Sequence, residues 1–521
     1  MKNFKTIFGG ILTLILFFTT VSCNKTPDIK SDLSNESLIP YPVYVNATNS
    51  VYDLRSNTYI YYTGNSKQAE FIAKYLRDRL HELTGLQFVA KKRKNINDKG
   101  INLFVNKIDT ITNREAYRLT IEDDNIRIRG NSKEGIFRGI QTLLQLIPSN
   151  SIDSSVAHKK YYVATGRIID YPRYAYRGAM LDVARHFFDI DDIKQFIDYL
   201  SWYKMNRFHI HLTDDQGWRI EIKSWPNLTA HGSKTQVGGG KGGFYTQEQF
   251  KDIVEYAQKR YITVVPEIDM PGHTNAALSS YPELNCNKKA PELYSGVKVG
   301  FSTLCAHDSI TYKFINDVVG EIADITSGKY IHIGGDESHA TEHNDYLYFI
   351  NKAVSIVNKH DKLCIGWDEI AQTDINPNTI VQYWSNAKNT KLAVTKGAKV
   401  ILSPASVTYM DMKYTDTTKL GLTWAGLTEV DKAYNWKPDT VANLGDKNIY
   451  GIEAALWTET IETLDDIEYM IFPRILGYSE LAWSPAKVLN WNNYKLRLAK
   501  QSKRFQSEKI NFYKSPVVDW E

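Results

Sequence analysis

From about residue 172 onward, short apolar runs alternate with helical stretches, and the end of nearly every apolar run carries acids, tryptophans or histidines. The strand candidates are Gly178-Asp182, Phe208-Leu212, Thr263-Ile268, Tyr330-Ile333, Leu363-Trp367, Thr379-Trp384, Lys399-Leu402 and Ile449-Leu456. Amphipathic segments lie between them: Ile190-Lys204, Gln247-Arg260, Ser309-Ile325 and Tyr346-His360. About eight strands alternating with helices suit a closed parallel barrel, although a doubly wound open sheet gives a similar rhythm. In a barrel the functional residues collect at the C-terminal ends of the strands. Asp182, Asp214, Glu267, Asp336, Trp367, Trp384, Asp411 and Glu459 all fall at or after such ends.

The fourth strand is the most telling. Tyr330-Ile331-His332-Ile333 runs into Gly334-Gly335-Asp336-Glu337-Ser338-His339. Two glycines let a ligand or another backbone come close. Two adjacent acids then point to different sides, so one can lie under a reacting atom while the other reaches a leaving group. A solvated turn is the plainer reading of these six residues taken alone.

The rest of the 521-residue chain is too long for one small core, so a second domain is expected. Residues 46–170 supply it: strand-like Tyr59-Tyr62, Ile101-Val105, Tyr117-Ile121 and Ile126-Arg129, with helices over Ala69-Leu83 and Lys133-Leu146, the first closed by Gly85. No histidine cluster stands in it, which gives it a structural role. The catalytic barrel is expected over 171–510, with only a helical stretch and a short tail after Pro485 and no appended sugar-binding module. The fold class is therefore α/β, a (β/α)8 barrel preceded by a small α+β domain.

Residues 1–22 have the form of a secretory signal: Lys2 and Lys5, an apolar run from Ile7 to Phe18, then small residues. Val21-Ser22-Cys23 resembles a bacterial lipobox, with Thr20 where leucine is usual, so Cys23 is the expected lipidation site. A cleaved signal without lipid and an uncleaved anchor are the alternatives. The polar segment 23–45 would tether the body, and the protein would be exported as a membrane-anchored lipoprotein touching the membrane only through that lipid. Cys286 and Cys305 flank a polar loop and could pair in an oxidising compartment, whereas Cys364 lies in an apolar run. A net charge of +4 on a chain of this length gives no case for nucleic acid. Oligomeric state is left open.

Three chemistries compete for the ring of acids and aromatics. A glycosidase would use acids for proton transfer and aromatics against sugar rings, which fits 11 tryptophans and 33 tyrosines. A metal hydrolase would use His209 and His211, which share one face of a strand, but no further ordered metal ligands follow. A sugar-binding protein without catalysis leaves the paired carboxylates unexplained. The glycine-rich Gly238–Gly243 segment lacks a phosphate loop's spacing and the strand before it; Thr246 after it is a helix cap.

Five long segments, in order, resemble the catalytic barrel of family-20 glycoside hydrolases, the β-N-acetylhexosaminidases. They are Tyr176–Asp182 with Arg185-His186-Phe187, His209–Arg219, Pro266–His273, His332–Glu337 and Glu453–Glu459. The resemblance extends from about residue 40 to 485. It implies a retaining, substrate-assisted mechanism in which the sugar's own 2-acetamido oxygen attacks the anomeric carbon. It makes Asp336 the carboxylate that orients the acetamido group and Glu337 the general acid and then base. His273 backed by Asp214 would support Glu337. Arg177 would grip the 3- and 4-hydroxyls, with Asp411 and Glu459 accepting from hydroxyls. Trp367, Trp384 and Trp457 would wall the acetamido pocket and Tyr409 would donate to the acetamido oxygen. Asp182, Arg185 and His186 are left without a place. The implied activity is exo-acting release of terminal β-linked N-acetylglucosamine or N-acetylgalactosamine from a glycan, with no cofactor and no metal. Related specificities, for a disaccharide or a sulfated sugar, and an inactive glycan-binding relative are the alternatives.

Overall fold

The eight strand candidates close into one parallel barrel. Its strands are Tyr176–Asp182, Arg207–His211, Thr263–Glu267, Tyr330–His332, Leu363–Trp367, Ile380–Tyr383, Lys399–Leu402 and Ile449–Leu456, each paired with its neighbour and the eighth with the first. They are called the first to eighth strands below. The computed structural model describes residues 29–64, 66–95, 99–108, 110–148 and 160–521. The signal segment, Cys23 and the start of the expected tether lie outside the described residues.

The helices form where the sequence periodicity places them. Asp189 caps Ile190–Trp202 through the backbone N–H groups of Asp191 and Asp192. Thr246 and Gln249 close a reciprocal capping box at the start of Gln247–Lys259. Ser309–Ile325 and His343–Lys359 bury Phe314, Ile315, Val318, Phe349, Ile350 and Val357 against the barrel wall. Among the described residues no helix is long and apolar enough to cross a membrane.

The small domain is a seven-stranded sheet in the order 44–54, 161–170, 117–121, 125–130, 100–105, 58–62, 88–92. Lys67–Thr84 and Lys133–Leu146 pack on it, the first ending at Gly85 in the left-handed conformation. Three of these strands, Tyr44–Leu54, Phe88–Lys92 and Tyr161–Asp170, were not among the sequence expectations. Two of them, Tyr44–Leu54 and Tyr161–Asp170, pair with each other across more than a hundred residues, which no local pattern reports.

The tether is corrected for its described part. Leu33, Leu38 and Ile39 are buried, and Gln145 bonds both the N–H and the carbonyl of Ile39. The Tyr41 N–H donates to Glu480. Scattered apolar residues anchor this stretch without any periodicity to announce it. The tail beyond 510 also packs, with Phe512 against Phe505 and Trp520.

A buried ionic layer joins the domains beneath the barrel. Asp170 accepts from Tyr117 Oη at 2.7 Å, from Trp483 Nε1 at 3.0 Å and from Lys204 Nζ at 3.0 Å. Glu115 pairs with Arg138 and with Arg177. The small domain thus supplies the counter-charges that let cationic residues of the barrel's lower rim be buried.

Candidate active site

The fourth strand delivers its acids over a gap that only glycine can leave. A Cβ on Gly334, whose φ is +64°, would stand 1.7 Å from Asp269 Oδ1. The Gly335 N–H instead donates to that oxygen at 3.2 Å. The chain then presents Asp336 and Glu337, the latter with φ +43°, an uncommon conformation for a side-chain-bearing residue.

His273 faces both acids. Its Nε2 lies 3.8 Å from Asp336 Oδ2 and 3.6 Å from Glu337 Oε2, and its Nδ1 is 3.1 Å from Asp214 Oδ1. Asp214 is also held by His211 Nε2 at 2.9 Å and by the Arg185 guanidinium at 2.9 Å. Burial alone would raise the Asp214 carboxyl, but Arg185, His273 and His211 outweigh it and hold it well below the usual range. Burial would likewise lower His273, yet Asp214 and Asp269 keep it charged well above the usual imidazole range. Asp336 is pushed up to about 6, chiefly by burial, with Glu337 and Glu267 adding to it against the pull of His273.

A pocket of about 210 Å³ opens over this group. Arg185, His273, Asp336, Glu337, Trp384, Tyr409, Asp411, Trp457 and Glu459 line it, with Val297, Val299, Leu422 and Trp424 at its sides. Trp367 lies beneath, buried, its ring 6.0 Å from that of Trp457. Trp384 donates to Glu369, and its ring stands edge-on to Trp424 at 6.1 Å. Both carboxylate oxygens of Asp411, Oε2 of Glu459 and Oδ1 of Asp336 are buried without a hydrogen-bond partner among the described residues. Buried acceptors without donors are costly, so they call for a ligand that brings several hydroxyl or amide donors.

Arg177 is not part of this pocket, which corrects the sequence expectation. It is the second residue of the first strand, whose far end at Asp182 is roughly 16 Å away at the usual rise per residue. Its guanidinium bonds Glu115 and the carbonyls of Lys204 and Tyr174 under the barrel. The arginine in the pocket is Arg185. Asp182, at the strand's end, accepts from the backbone N–H groups of Ala184 and Arg185, which turns the arginine inward and over the Trp457 ring at 4.9 Å. Applying the C-terminal-rim rule to the arginines would have found it. Trp424, 58% exposed, carried no sequence signal at all because it lies in an irregular loop.

His209 and His211 point into the barrel. The donor atoms of His209, Glu267 and His332 lie within 4.8 Å of one another and could in principle hold a cation. They are already engaged: His209 Nδ1 is 2.7 Å from Glu453, and Glu267 accepts from Trp367 Nε1. Cys286 and Cys305 are joined in a disulfide that closes the loop carrying Val297 and Val299. Trp202, Trp225, Trp436 and Trp483 lie outside the pocket.

A parallel barrel with two adjacent acids at one strand end, below an aromatic-walled pocket of unpartnered acceptors, defines a sugar-hydrolysing enzyme. Residues 174–486 match the glycosyl hydrolase family 20 catalytic domain and residues 35–171 match the family's domain 2. The chain is 41% identical to a β-N-acetylhexosaminidase of Cellulomonas fimi, covering 78% of this chain and 82% of that protein. It is 35% identical to a β-hexosaminidase of Porphyromonas gingivalis, covering 92% of this chain and 64% of that protein. Among solved structures, the family-20 β-N-acetylhexosaminidase of Streptomyces coelicolor superposes with a TM-score of 0.89 at 42% identity, covering 94% of this chain and all of that one. A mutant Streptomyces plicatus β-hexosaminidase in complex with its product GlcNAc also has a TM-score of 0.89, at 43% identity over 94% of this chain and 99% of that one. The chain belongs to glycosyl hydrolase family 20.

Proposed function

We infer that this chain is an exo-β-N-acetylhexosaminidase that releases terminal β-linked N-acetylglucosamine or N-acetylgalactosamine by substrate assistance. The observation that carries the reading is the placement of Asp336 and Glu337 side by side under one aromatic-walled pocket, both facing His273. The sugar's acetamido oxygen attacks the anomeric carbon, so the protein needs no nucleophile of its own. Asp336 accepts the acetamido N–H and stabilises the charge that develops on the oxazolinium. Glu337 gives its proton to the glycosidic oxygen, then takes one from the water that opens the ring. His273, kept cationic and oriented by Asp214, steadies both carboxylates through the charge changes.

Tyr409 donates to the acetamido oxygen, while Trp384 and Trp457 wall that group and Trp367, expected to do so as well, supports Trp457 from beneath. Arg185, Asp411 and Glu459 grip the ring hydroxyls. A sulfated sugar is disfavoured, because four carboxylates line the pocket against two cations, Arg185 and His273.

The test compares 4-nitrophenyl β-GlcNAc and β-GalNAc with the β-glucoside, with and without a thiazoline inhibitor and a chelator. Cleavage confined to the acetamido sugars, blocked by thiazoline and indifferent to chelator, is expected. Equal cleavage of the glucoside would sink substrate assistance, and loss to chelator would revive a metal at the barrel histidines.

The N-terminal sequence supports a location. Cleavage before Cys23 and lipidation of that residue would place the enzyme outside the cytoplasm on a membrane anchor. Cys23→Ala should then release the enzyme from the membrane fraction; unchanged membrane recovery would refute the lipid.

A further inference from the structure

Glu267 ends the third strand inside the barrel, fully buried, and contacts partners from three other strands. Its Oε2 lies 2.5 Å from His211 Nδ1 and 3.0 Å from His209 Nε2. Its Oε1 accepts from Trp367 Nε1 at 3.0 Å and lies 2.8 Å from His332 Nδ1. Beyond these stand Glu453, which holds the far side of His209, and Asp269.

We infer that Glu267 is a positioning residue for the acid step of the reaction proposed above, acting through His211 and Asp214 on His273. A continuous line of alternating charge joins them. Glu267 meets His211 Nδ1, His211 Nε2 meets Asp214 Oδ2 at 2.9 Å, and Asp214 Oδ1 meets His273 Nδ1 at 3.1 Å. His273 Nε2 then faces Glu337 at 3.6 Å.

A neutral imidazole has one N–H and could serve only one of the two carboxylates that clamp His211. The doubly protonated ring serves both, and the charge of Glu267 is what keeps it so. His211 then pins one oxygen of Asp214, leaving the other to fix His273. Without Glu267 the clamp opens at its buried end, and the His273 ring loses its fixed angle to Glu337. The other oxygen of Glu267 fixes the Trp367 indole beneath the acetamido pocket, so one carboxylate sets two reference points of the site.

The test uses the full chain and two acetamido substrates. Chitobiose has a poor leaving group and needs the acid; 2,4-dinitrophenyl β-GlcNAc has a leaving group that departs without a proton. Glu267→Gln should lower kcat on chitobiose about 10²-fold and on the dinitrophenyl substrate less than about fivefold, with KM within about threefold for both. The reference variant Trp367→Phe, which removes only the other arm, should lower both substrates alike. Equal losses in Glu267→Gln, or no loss, would overturn the inference. If Glu267→Gln does not fold, His211→Asn should give the same split. Failure of both to fold would assign the line to barrel stability and overturn it too. A wild-type chain that cleaves neither substrate would instead overturn the function on which the inference rests.

Discussion

Arg177 and Arg185 belong to one strand and its following loop, yet they serve opposite ends of the barrel. Arg185→Ala should lower kcat/KM about 10²-fold, since a buried grip on sugar hydroxyls is lost, and should also lower Tm, because Asp214 and Asp182 lose a buried cation. Arg177→Ala should cost stability alone. It leaves Glu115 buried with one fewer cation and should destabilise the fold by about 3–5 kcal/mol, with KM nearly unchanged. Thermal melts beside steady-state kinetics separate the two.

Asp336 makes activity and stability depend on pH in opposite senses. Its folded value, about 6, lies above the usual 3.8. Between these values the folded chain keeps a proton that the unfolded chain has lost, so stability falls as pH rises through the window and stays lower above it. Catalysis needs the ionised form, so kcat/KM should rise through the same window, with an acid limb near pH 6. Asp336→Asn should abolish most activity yet melt higher above pH 6, by a gain on the order of 2 kcal/mol that vanishes near pH 4. Calorimetry at pH 4 and 7 checks the sign.

Asp411 carries two buried oxygens without partners among the described residues, and burial with Glu459 nearby raises it well above the usual carboxylate range. Asp411→Asn relieves that charge. The variant should be more stable than wild type at neutral pH by about 1–2 kcal/mol while kcat/KM falls about 10²-fold. A variant that loses both stability and activity would show that the pocket side of Asp411 is structural.

Gly334→Ala should fail at both levels. The new methyl would fall on Asp269 Oδ1, at a backbone conformation that side chains disfavour. A loss of at least about 3 kcal/mol is expected, with inactivity even in the folded fraction, because Asp336 follows two residues on. Gly239→Ala is the control: nothing lies within 4 Å of its added Cβ, so it should report only the backbone strain at φ +81°.

Much of the site was legible because barrels put chemistry at strand ends. Asp336, Glu337, His273, Trp384, Tyr409, Asp411, Trp457 and Glu459 all reach one pocket, as their positions after apolar runs suggested. Arg177 was misplaced because its role came from the resemblance, although it precedes the Gly178-Asp182 strand candidate and so stands at the end of the barrel opposite the site. Trp424 was missed for the opposite reason: an irregular loop has no period to read. The strands Tyr44–Leu54 and Tyr161–Asp170 escaped because their partners are remote in sequence.

The sequence alone determined the alternation of buried strands and amphipathic helices, which a barrel suits best, and the acid pair that follows two glycines. Both are local properties, written in periodicity and in backbone sterics. Tertiary structure alone decided which carboxylates lie buried without donors, and that Glu267, His211, Asp214 and His273 form one line to the acids. Those facts depend on distances between strands far apart in the chain, and on the low-dielectric interior that makes each unpaired charge count.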